Sequence, residues 1–281
     1  MVFIFRVFSR LPLSLVHLLG GCLGWLTYLL SPTYRRHVQE NMAQAGIDPS
    51  LRGAAVAEAG KQMVELARIW LRTLEETNAQ VVEVRGWEFV EAAQQHGQGI
   101  VFLTPHLGCF EITAQYYSAF GDVTVLYRPP RQASIRQMIL DGRKRERLHL
   151  APADLSGVRA LIKALKKGQA VGMLPDQAPK VGEGVWLDFF GKPAYTMTLA
   201  ARLTETGATT LMAWGERLPN GRGYCLHFHP PQQALSGATV DRAQQINCEI
   251  EALVRQCPTQ YLWGYNRYKQ PGGAEPPPAR N

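Results

Sequence analysis

The chain has 281 residues, 46% of them hydrophobic, which is enough for one large domain or two small ones with a buried core. Its formal net charge of +7 favours an acidic partner, which could be anionic lipid, an acidic protein or nucleic acid. Zinc-finger spacing and a glycine-aromatic RNA-binding pattern are both absent, so we expect no nucleic acid partner. The five cysteines form no CxxC pair, which indicates reduced thiols and no disulfide framework.

The N-terminal part contains an uncharged apolar stretch between residues 11 and 30. A helix rises about 1.5 Å per residue, so this stretch spans roughly the 30 Å hydrocarbon core of a bilayer. Arginines flank it on both sides, at positions 6 and 10 and again at 35 and 36. We therefore predict a membrane anchor, spanning or interfacial, over residues 1–35. The nearly balanced flanking charge leaves the orientation of the anchor open.

Two other interpretations of this stretch stay open. A cleaved signal peptide also has a basic start and an apolar middle, but no A-x-A-like cleavage site follows. A buried core helix is the second alternative. The three glycines at positions 20, 21 and 24 would make such a segment a poor isolated helix in water.

After the anchor, an amphipathic pattern predicts a helix over residues 52–76, and a shorter helix follows over 87–95. Short apolar strands then alternate with helices. Predicted strands cover residues 100–103, 123–127, 170–174, 209–214 and 224–228. Predicted helices cover residues 112–120, 134–147, 155–167, 197–206 and 240–255. This alternation is typical of an α/β domain with a mostly parallel sheet flanked by helices. We place that domain at residues 36–270 and expect the Pro- and Gly-rich tail, 271–281, to be disordered.

The loop after the first of these apolar strands carries His106 and Glu111. In this fold class, ligands gather beyond the carboxyl ends of the strands. On a regular helix two residues five apart would point about 140° away from each other, since each residue turns about 100°. A turn that runs into a helix would let them meet, and Pro105 and Gly108 make such a turn plausible. A carboxylate bonded to one imidazole nitrogen would then let the other nitrogen take a proton from a hydroxyl.

The residues from this loop onward resemble the acyltransferases that share a His-x4-Asp/Glu box, and most closely the lipid A biosynthesis acyltransferases, which transfer lauroyl and myristoyl chains. The resemblance covers nearly the whole chain. Seven segments carry it, in the family's order and approximate spacing. They are residues 104–111, 127–129, 141–145, 161–168, 175–177, 189–194 and 260–263.

The resemblance implies a glycerolipid-acyltransferase-like fold and an enzyme on the cytoplasmic face of the bacterial inner membrane. It implies acyl-acyl carrier protein as donor, an anionic glycolipid as acceptor and no cofactor. His106 matches the family's catalytic base and Glu111 its charge-relay carboxylate. Gly142 and Arg143 match a Gly-Arg pair needed for activity, and Asp176 matches a required aspartate.

Arg128 is a further candidate for the substrate-binding site. Guanidinium groups bind phosphate or a developing oxyanion in bidentate fashion, which suits both the phosphorylated acceptor and the phosphopantetheine of the donor. The basic residues between 143 and 147 could bind either partner, or could form a solvated helix face. Asp176 could alternatively be a structural cap after Pro175.

Two segments depart from the family's commoner pattern, at residues 130–134 and 178–186. They leave the base intact but put acceptor identity and acyl length in doubt. The acceptor could instead be a lysophospholipid, an ornithine lipid or a polyene-type product. A third alternative is a membrane-bound scaffold that binds acyl carrier protein without catalysis.

His227 and His229 lie two residues apart in a predicted strand, so both imidazoles would point to one face. Two histidines could contribute to a metal site, but the sequence offers no third ligand at a suitable spacing. From the sequence we therefore predict no metal.

Overall fold

The computed structural model of the chain describes residues 2–127, 133–143 and 145–278. The α-helices found there are α1 (Val2–Arg10), α2 (Leu13–Leu30), α3 (Pro32–Gln44), α4 (Arg52–Leu71), α5 (Leu74–Asn78), α6 (Trp87–His96), α7 (Phe110–Tyr117), α8 (Ala133–Arg143), α9 (Leu155–Lys166), α10 (Leu199–Thr204) and α11 (Thr239–Gln256). Short 3-10 helices lie at Pro49–Leu51, Pro219–Gly221 and Pro258–Gln260.

The described residues also contain strands β1 (Val81–Arg85), β2 (Ile100–Leu103), β3 (Val123–Tyr127), β4 (Leu148–Pro152), β5 (Ala170–Met173), β6 (Gly184–Phe189), β7 (Lys192–Met197), β8 (Thr209–Arg217) and β9 (Tyr224–His229). Seven of them form one sheet in the order β1-β9-β8-β2-β5-β3-β4. All pairs in it are parallel except β8 with β9, and β6 and β7 form a separate antiparallel hairpin. The predicted α/β class with a mostly parallel sheet is confirmed.

Strand β2 lies in the centre of the sheet and is buried along its whole length. Its side chains alternate between two apolar clusters, because successive residues of a strand point to opposite faces. Val101 and Leu103 pack on the face that α9 and α11 cover, whereas Ile100 and Phe102 pack on the face of α4, α6 and α7. The core therefore consists of two layers on either side of one central sheet, as expected for a parallel sheet.

The apolar N-terminal helix α2 packs along α4, and glycines let the two backbones approach closely. A Cβ atom at Gly60 would lie 2.0 Å from the Gly20 carbonyl oxygen, and one at Gly24 would lie 2.2 Å from the Val56 carbonyl oxygen. Small residues spaced four apart are a common device for close helix–helix packing. One face of α2 is thereby fixed against the α/β domain.

The other face of α2 is apolar and exposed. Leu18 and Leu29 are 64% and 62% exposed, and five further leucines and Trp25 are also exposed on this helix. Only 33% of the 18-residue window, whose mean hydropathy is 1.6, is buried. This exposure is inconsistent with the alternative that α2 is a wholly buried core helix. By length and composition, α2 is also the one helix among the described residues that could span a membrane.

Candidate functional site

His106 and Asp176 come together because they follow neighbouring parallel strands. Strands β2 and β5 pair in parallel with Leu103 opposite Met173, so both strands end at the same edge of the sheet. The Thr104 amide continues this ladder by donating to the Met173 carbonyl oxygen at 2.8 Å. Each site residue then lies three positions beyond its strand. This is the edge at which parallel α/β sheets usually bind ligands.

Asp176 binds His106 through both carboxylate oxygens. Its Oδ1 lies 2.8 Å from the imidazole Nδ1, and its Oδ2 accepts a hydrogen bond of 2.9 Å from the His106 backbone N–H. A carboxylate at Nδ1 favours the tautomer that carries its proton there, which leaves a lone pair on Nε2. The Gln177 amide nitrogen lies 3.2 Å from that Nε2. The hydrogen-bond network therefore orients the imidazole so that Nε2, the nitrogen beside the Gln177 amide, is the one placed to act as a base.

The Asp176 carboxylate is ionised in spite of its burial. Desolvation by burial would raise its pKa, but the charge of His106 and the two hydrogen bonds from that residue hold the pKa below its ordinary value. Tyr261 lies beside this carboxylate, and burial together with the negative charge of Asp176 raises the pKa of its phenol well above the ordinary value. A neutral phenol and an ionised aspartate thus form the buried side of the site.

Backbone contacts from distant segments fix the loop that carries His106. The Gly108 amide donates to the Gln260 carbonyl oxygen at 3.0 Å, and the Leu262 amide donates to the His106 carbonyl oxygen at 3.1 Å. The Gln62 side chain donates to the Gly108 carbonyl oxygen at 3.0 Å. Gly108 has φ of +61°, and a Cβ there would lie 2.0 Å from the Gly215 carbonyl oxygen, so only glycine fits.

Glu111 occupies a different position from the one the sequence suggested. It lies in the first turn of α7 and binds the Arg143 guanidinium at the end of α8 in bidentate fashion, with 2.6 Å between Nε and Oε1 and a second contact from Nη2 to Oε2. Among the described residues, the carboxylate hydrogen-bonded to the His106 ring is that of Asp176. The carboxylate that contacts the imidazole is therefore that of Asp176 and not the expected Glu111, because β5 brings Asp176 to the imidazole whereas the turn into α7 directs Glu111 toward α8.

Arg143 is mostly buried and charged. Desolvation lowers its pKa, but the Glu111 carboxylate outweighs that effect and the pKa is raised. Its guanidinium also lies over the rings of Trp70, at 5.6 Å, and Tyr127, at 6.0 Å. Two of its nitrogens face Glu111, so the planar group is held in one orientation.

The remaining predicted binding residues differ in what the structure says about them. Gly142 is buried against α4, where a Cβ would lie 2.4 Å from the Cβ of Trp70, so its small size allows α8 to approach. Arg145 binds Gln115 and backbone carbonyl groups and forms no solvated basic face. Arg128 and Lys144 lie outside the described residues.

Three residues of the site had no role in the sequence argument. Gln177 covers the basic nitrogen, Tyr261 borders the carboxylate, and Gln62 holds the loop. Gln177 and Tyr261 stand in segments that carry the family resemblance, at residues 175–177 and 260–263, so their position in the motifs was a usable signal. Gln62 lies within an amphipathic helix and gave no such signal.

Taken together, the site is a histidine oriented by a buried carboxylate at the carboxyl edge of an α/β sheet, and the loop that carries it leads into α7, whose Glu111 holds Arg143. Such a histidine can accept a proton from a hydroxyl and later return it to a leaving group. These features define a class of α/β proteins with a His–carboxylate pair suited to acid–base chemistry.

Comparison with known proteins identifies the family. The model of the bacterial lipid A biosynthesis acyltransferase family matches residues 1–270. The chain is 28% identical over 195 residues to the lipid A biosynthesis lauroyltransferase of Escherichia coli K12. The aligned residues cover 68% of this chain and 63% of that protein. It is 25% identical over 189 residues to the palmitoleoyltransferase of the same organism, covering 66% and 61%. A lipid A biosynthesis acyltransferase of Haemophilus influenzae is 25% identical over 185 residues, covering 64% and 57%.

The chain belongs to the bacterial lipid A biosynthesis acyltransferase family. It spans roughly three fifths of the length of the relatives just named. The family resemblance expected from the sequence motifs is confirmed.

Proposed function

We propose that the protein is an O-acyltransferase that moves a fatty acyl chain from acyl-acyl carrier protein to a hydroxyl of a lipid A precursor, a late acylation step. The observation that carries this proposal is the His106–Asp176 pair, 2.8 Å apart, in a chain whose family is named for lipid A acylation. The relatives are named for lauroyl and palmitoleoyl transfer, which supports a lipid A-type acceptor here.

In the proposed reaction, the acceptor hydroxyl replaces the Gln177 amide at Nε2 of His106. The oxygen attacks the thioester carbonyl carbon as its proton passes to Nε2, and Asp176 stabilises the imidazolium that forms. The tetrahedral intermediate then collapses, the carbon–sulfur bond breaks, and the leaving thiolate takes the proton from the imidazolium. The products are an ester and a free thiol, and no serine or cysteine of the chain becomes acylated.

Arg143 contributes a fixed positive charge in this proposal. Glu111 occupies Nε and Nη2 of its guanidinium, and in this proposal the third nitrogen, Nη1, binds a phosphate or the developing oxyanion. Glu111 therefore acts as a positioning residue for Arg143. The overall charge of +7 supports an acidic carrier protein as donor.

We further propose that α2 attaches the protein to the inner membrane, with the site on the cytoplasmic face where acyl carrier protein is present. The exposed leucine-rich face of α2 supports this attachment, since contiguous apolar surface of this kind commonly marks membrane contact.

The test is transfer by the purified, detergent-solubilised protein. Radiolabelled lauroyl-acyl carrier protein is supplied with an under-acylated, phosphorylated lipid A precursor, and His106→Ala serves as the control. We expect label in the lipid with wild type and none with the variant. Label in free fatty acid alone, or in no product with donors of several chain lengths, would reject the proposal and favour the scaffold alternative.

A second acceptor class is favoured by one observation. The segment at residues 178–186, which departs from the commoner family pattern, begins directly after Gln177, so it adjoins the site. A lysophospholipid and a lyso-ornithine lipid therefore belong in the same assay. Transfer to either one, with none to the lipid A precursor, would replace the acceptor and retain the chemistry.

A further inference from the structure

Three side chains with metal-binding atoms converge where strands β8 and β9 pair. Glu216 of β8 lies directly opposite Cys225 of β9, and Cys225 and His227 are two residues apart on one face of β9. One ligand atom from each of the three lies within 4.8 Å of the other two. The spacing of the two histidines in the sequence could not indicate this cluster, because Glu216 enters it through the pairing of β8 with β9.

We propose that Glu216, Cys225 and His227 bind one zinc ion, a site separate from the proposed acyl-transfer centre. Sulfur, imidazole nitrogen and carboxylate oxygen are the ligands that zinc takes in proteins. Nε2 of His227 lies 3.0 Å from Oε2 of Glu216. Two ligand atoms of a tetrahedral zinc, each about 2.0 Å from the metal, are roughly 3.3 Å apart. The two atoms would therefore need to move only slightly further apart to bind the ion.

The surroundings of the three side chains suit an ion. The indole of Trp214 stacks on the His227 ring, with centroids 4.2 Å apart and planes within 7°, and this fixes the direction of the imidazole. Cys225 is fully buried, whereas Glu216 is about one-third exposed, which leaves an entry path from solvent. Glu83 pairs with Cys225 from β1 and adds a second carboxylate. Arg85 on the same strand is ion-paired to Glu83 at 2.7 Å.

When zinc binds, it is exchanged for one proton. Zinc replaces the thiol proton of Cys225, which is released to solvent, and the proton on Nε2 of His227 moves to Nδ1 so that Nε2 can bind the metal. The fourth position is taken by water or by the Glu83 carboxylate.

The position in the fold gives the ion a structural role. Gly215 precedes Glu216, and its carbonyl oxygen accepts a 2.7 Å hydrogen bond from the Cys109 amide in the loop after His106. An ion bound between β8 and β9 would hold the two strands in register next to Gly215, whose carbonyl oxygen supports the loop. Zinc should therefore stabilise the folded protein, since a ligand that binds only the native state raises its stability.

The experiment is a zinc titration of the whole 281-residue chain in detergent against a chromophoric chelator. Cys225→Ser and His227→Gln remove one ligand each, and Cys248→Ser, at an exposed thiol on α11, is the matched control. We expect one zinc per chain for wild type and Cys248→Ser. Affinity should fall more than about 100-fold in the other two variants, beyond the loss caused by an outer-shell partner alone. Equal affinity in wild type and Cys225→Ser would overturn the site.

Cobalt substitution keeps the test decisive if a variant does not fold. Wild-type protein with one equivalent of Co²⁺ should show a thiolate-to-cobalt charge-transfer band in the near ultraviolet and the visible bands of a tetrahedral ion. Zinc should also raise the thermal unfolding midpoint of wild type. Absence of the charge-transfer band in folded wild type would overturn the proposal by itself. Neither readout depends on acyl transfer, so this inference and the proposed function can fail separately.

Discussion

The two nitrogens of the His106 ring have different neighbours, and this difference decides what the residue can do. Nδ1 faces the ionised Asp176, and Nε2 faces the Gln177 amide at 3.2 Å. Only Nε2 is placed to exchange a proton with substrate. In the free protein that nitrogen already accepts a hydrogen bond, so the acceptor lipid has to compete with Gln177 for it.

We predict that Gln177→Ala lowers the KM for the acceptor about five-fold with little change in kcat. The reason is that a hydrogen bond of about 1 kcal/mol no longer has to be broken when the acceptor binds. Steady-state kinetics with varied acceptor at saturating donor measure both constants. A hundred-fold fall in kcat at constant KM would contradict this, and would make the amide a donor to the oxyanion instead.

Glu111→Gln should destabilise the protein by about 3 kcal/mol, because it leaves the buried Arg143 guanidinium without its counter-charge. Thermal unfolding followed by circular dichroism measures the change. Glu40→Gln is the matched control, since Glu40 pairs with Arg36 in a largely exposed ion pair whose loss should cost less than about 1 kcal/mol. Equal unfolding midpoints for the two variants would show that the Glu111–Arg143 pair is not a buried charge pair.

At the residue scale, the sequence predicted the members of the site but not their pairing. The motif order singled out His106, Glu111, Arg143 and Asp176, and the structure joins them in two pairs, His106 with Asp176 and Glu111 with Arg143. A five-residue spacing cannot show which carboxylate meets the imidazole. That depends on β2 and β5 being adjacent and in register, which is a property of the sheet.

The elements that the sequence missed are those whose local pattern is weak. Strand β1 is largely exposed, so its apolar alternation is faint, and β4 lies in the short gap between the helices predicted over residues 134–147 and 155–167. The hairpin of β6 and β7 lies outside the parallel sheet, and its two strands follow each other without an intervening helix. By contrast, β2 and β3 were predicted with their observed bounds, because short buried apolar runs of this kind mark parallel strands.

The crossing of α2 and α4 depends on glycine, and Gly60→Ala tests it. Alanine has the higher helix propensity, by about 1 kcal/mol, so a helix with free space there would be stabilised. Its methyl group would lie 2.0 Å from the Gly20 carbonyl oxygen, and we expect a net loss of about 2 kcal/mol as the helices separate.

Gly21→Ala is the control for this substitution, because its nearest neighbour is the Ala57 Cβ at an ordinary 3.6 Å. Thermal unfolding midpoints should fall for Gly60→Ala and stay level or rise for Gly21→Ala. A rise in both would mean that the two helices do not pack closely.

For the molecule as a whole, α2 has two distinct faces, one packed on α4 and one exposed and rich in leucine. We predict that the double variant Leu18→Asp/Leu29→Asp no longer floats with liposomes of bacterial phospholipid, because each charge costs about 2.5–3.5 kcal/mol in the apolar layer. Leu155→Asp is the control, since Leu155 is a 77% exposed leucine on α9. Equal flotation of all three proteins would contradict attachment through α2.

The central claim, that His106 and Asp176 act as one unit in acyl transfer, is tested most directly by a double-mutant cycle. The initial rate of transfer to lipid A precursor is measured for wild type, His106→Ala, Asp176→Asn and the double variant, each verified as folded by circular dichroism. We expect each single change to lower the rate by about 10²–10⁴ and the double variant to fall no further than His106→Ala, because paired groups are not additive. A near-normal rate for Asp176→Asn, or losses that multiply in the double variant, would contradict the claim.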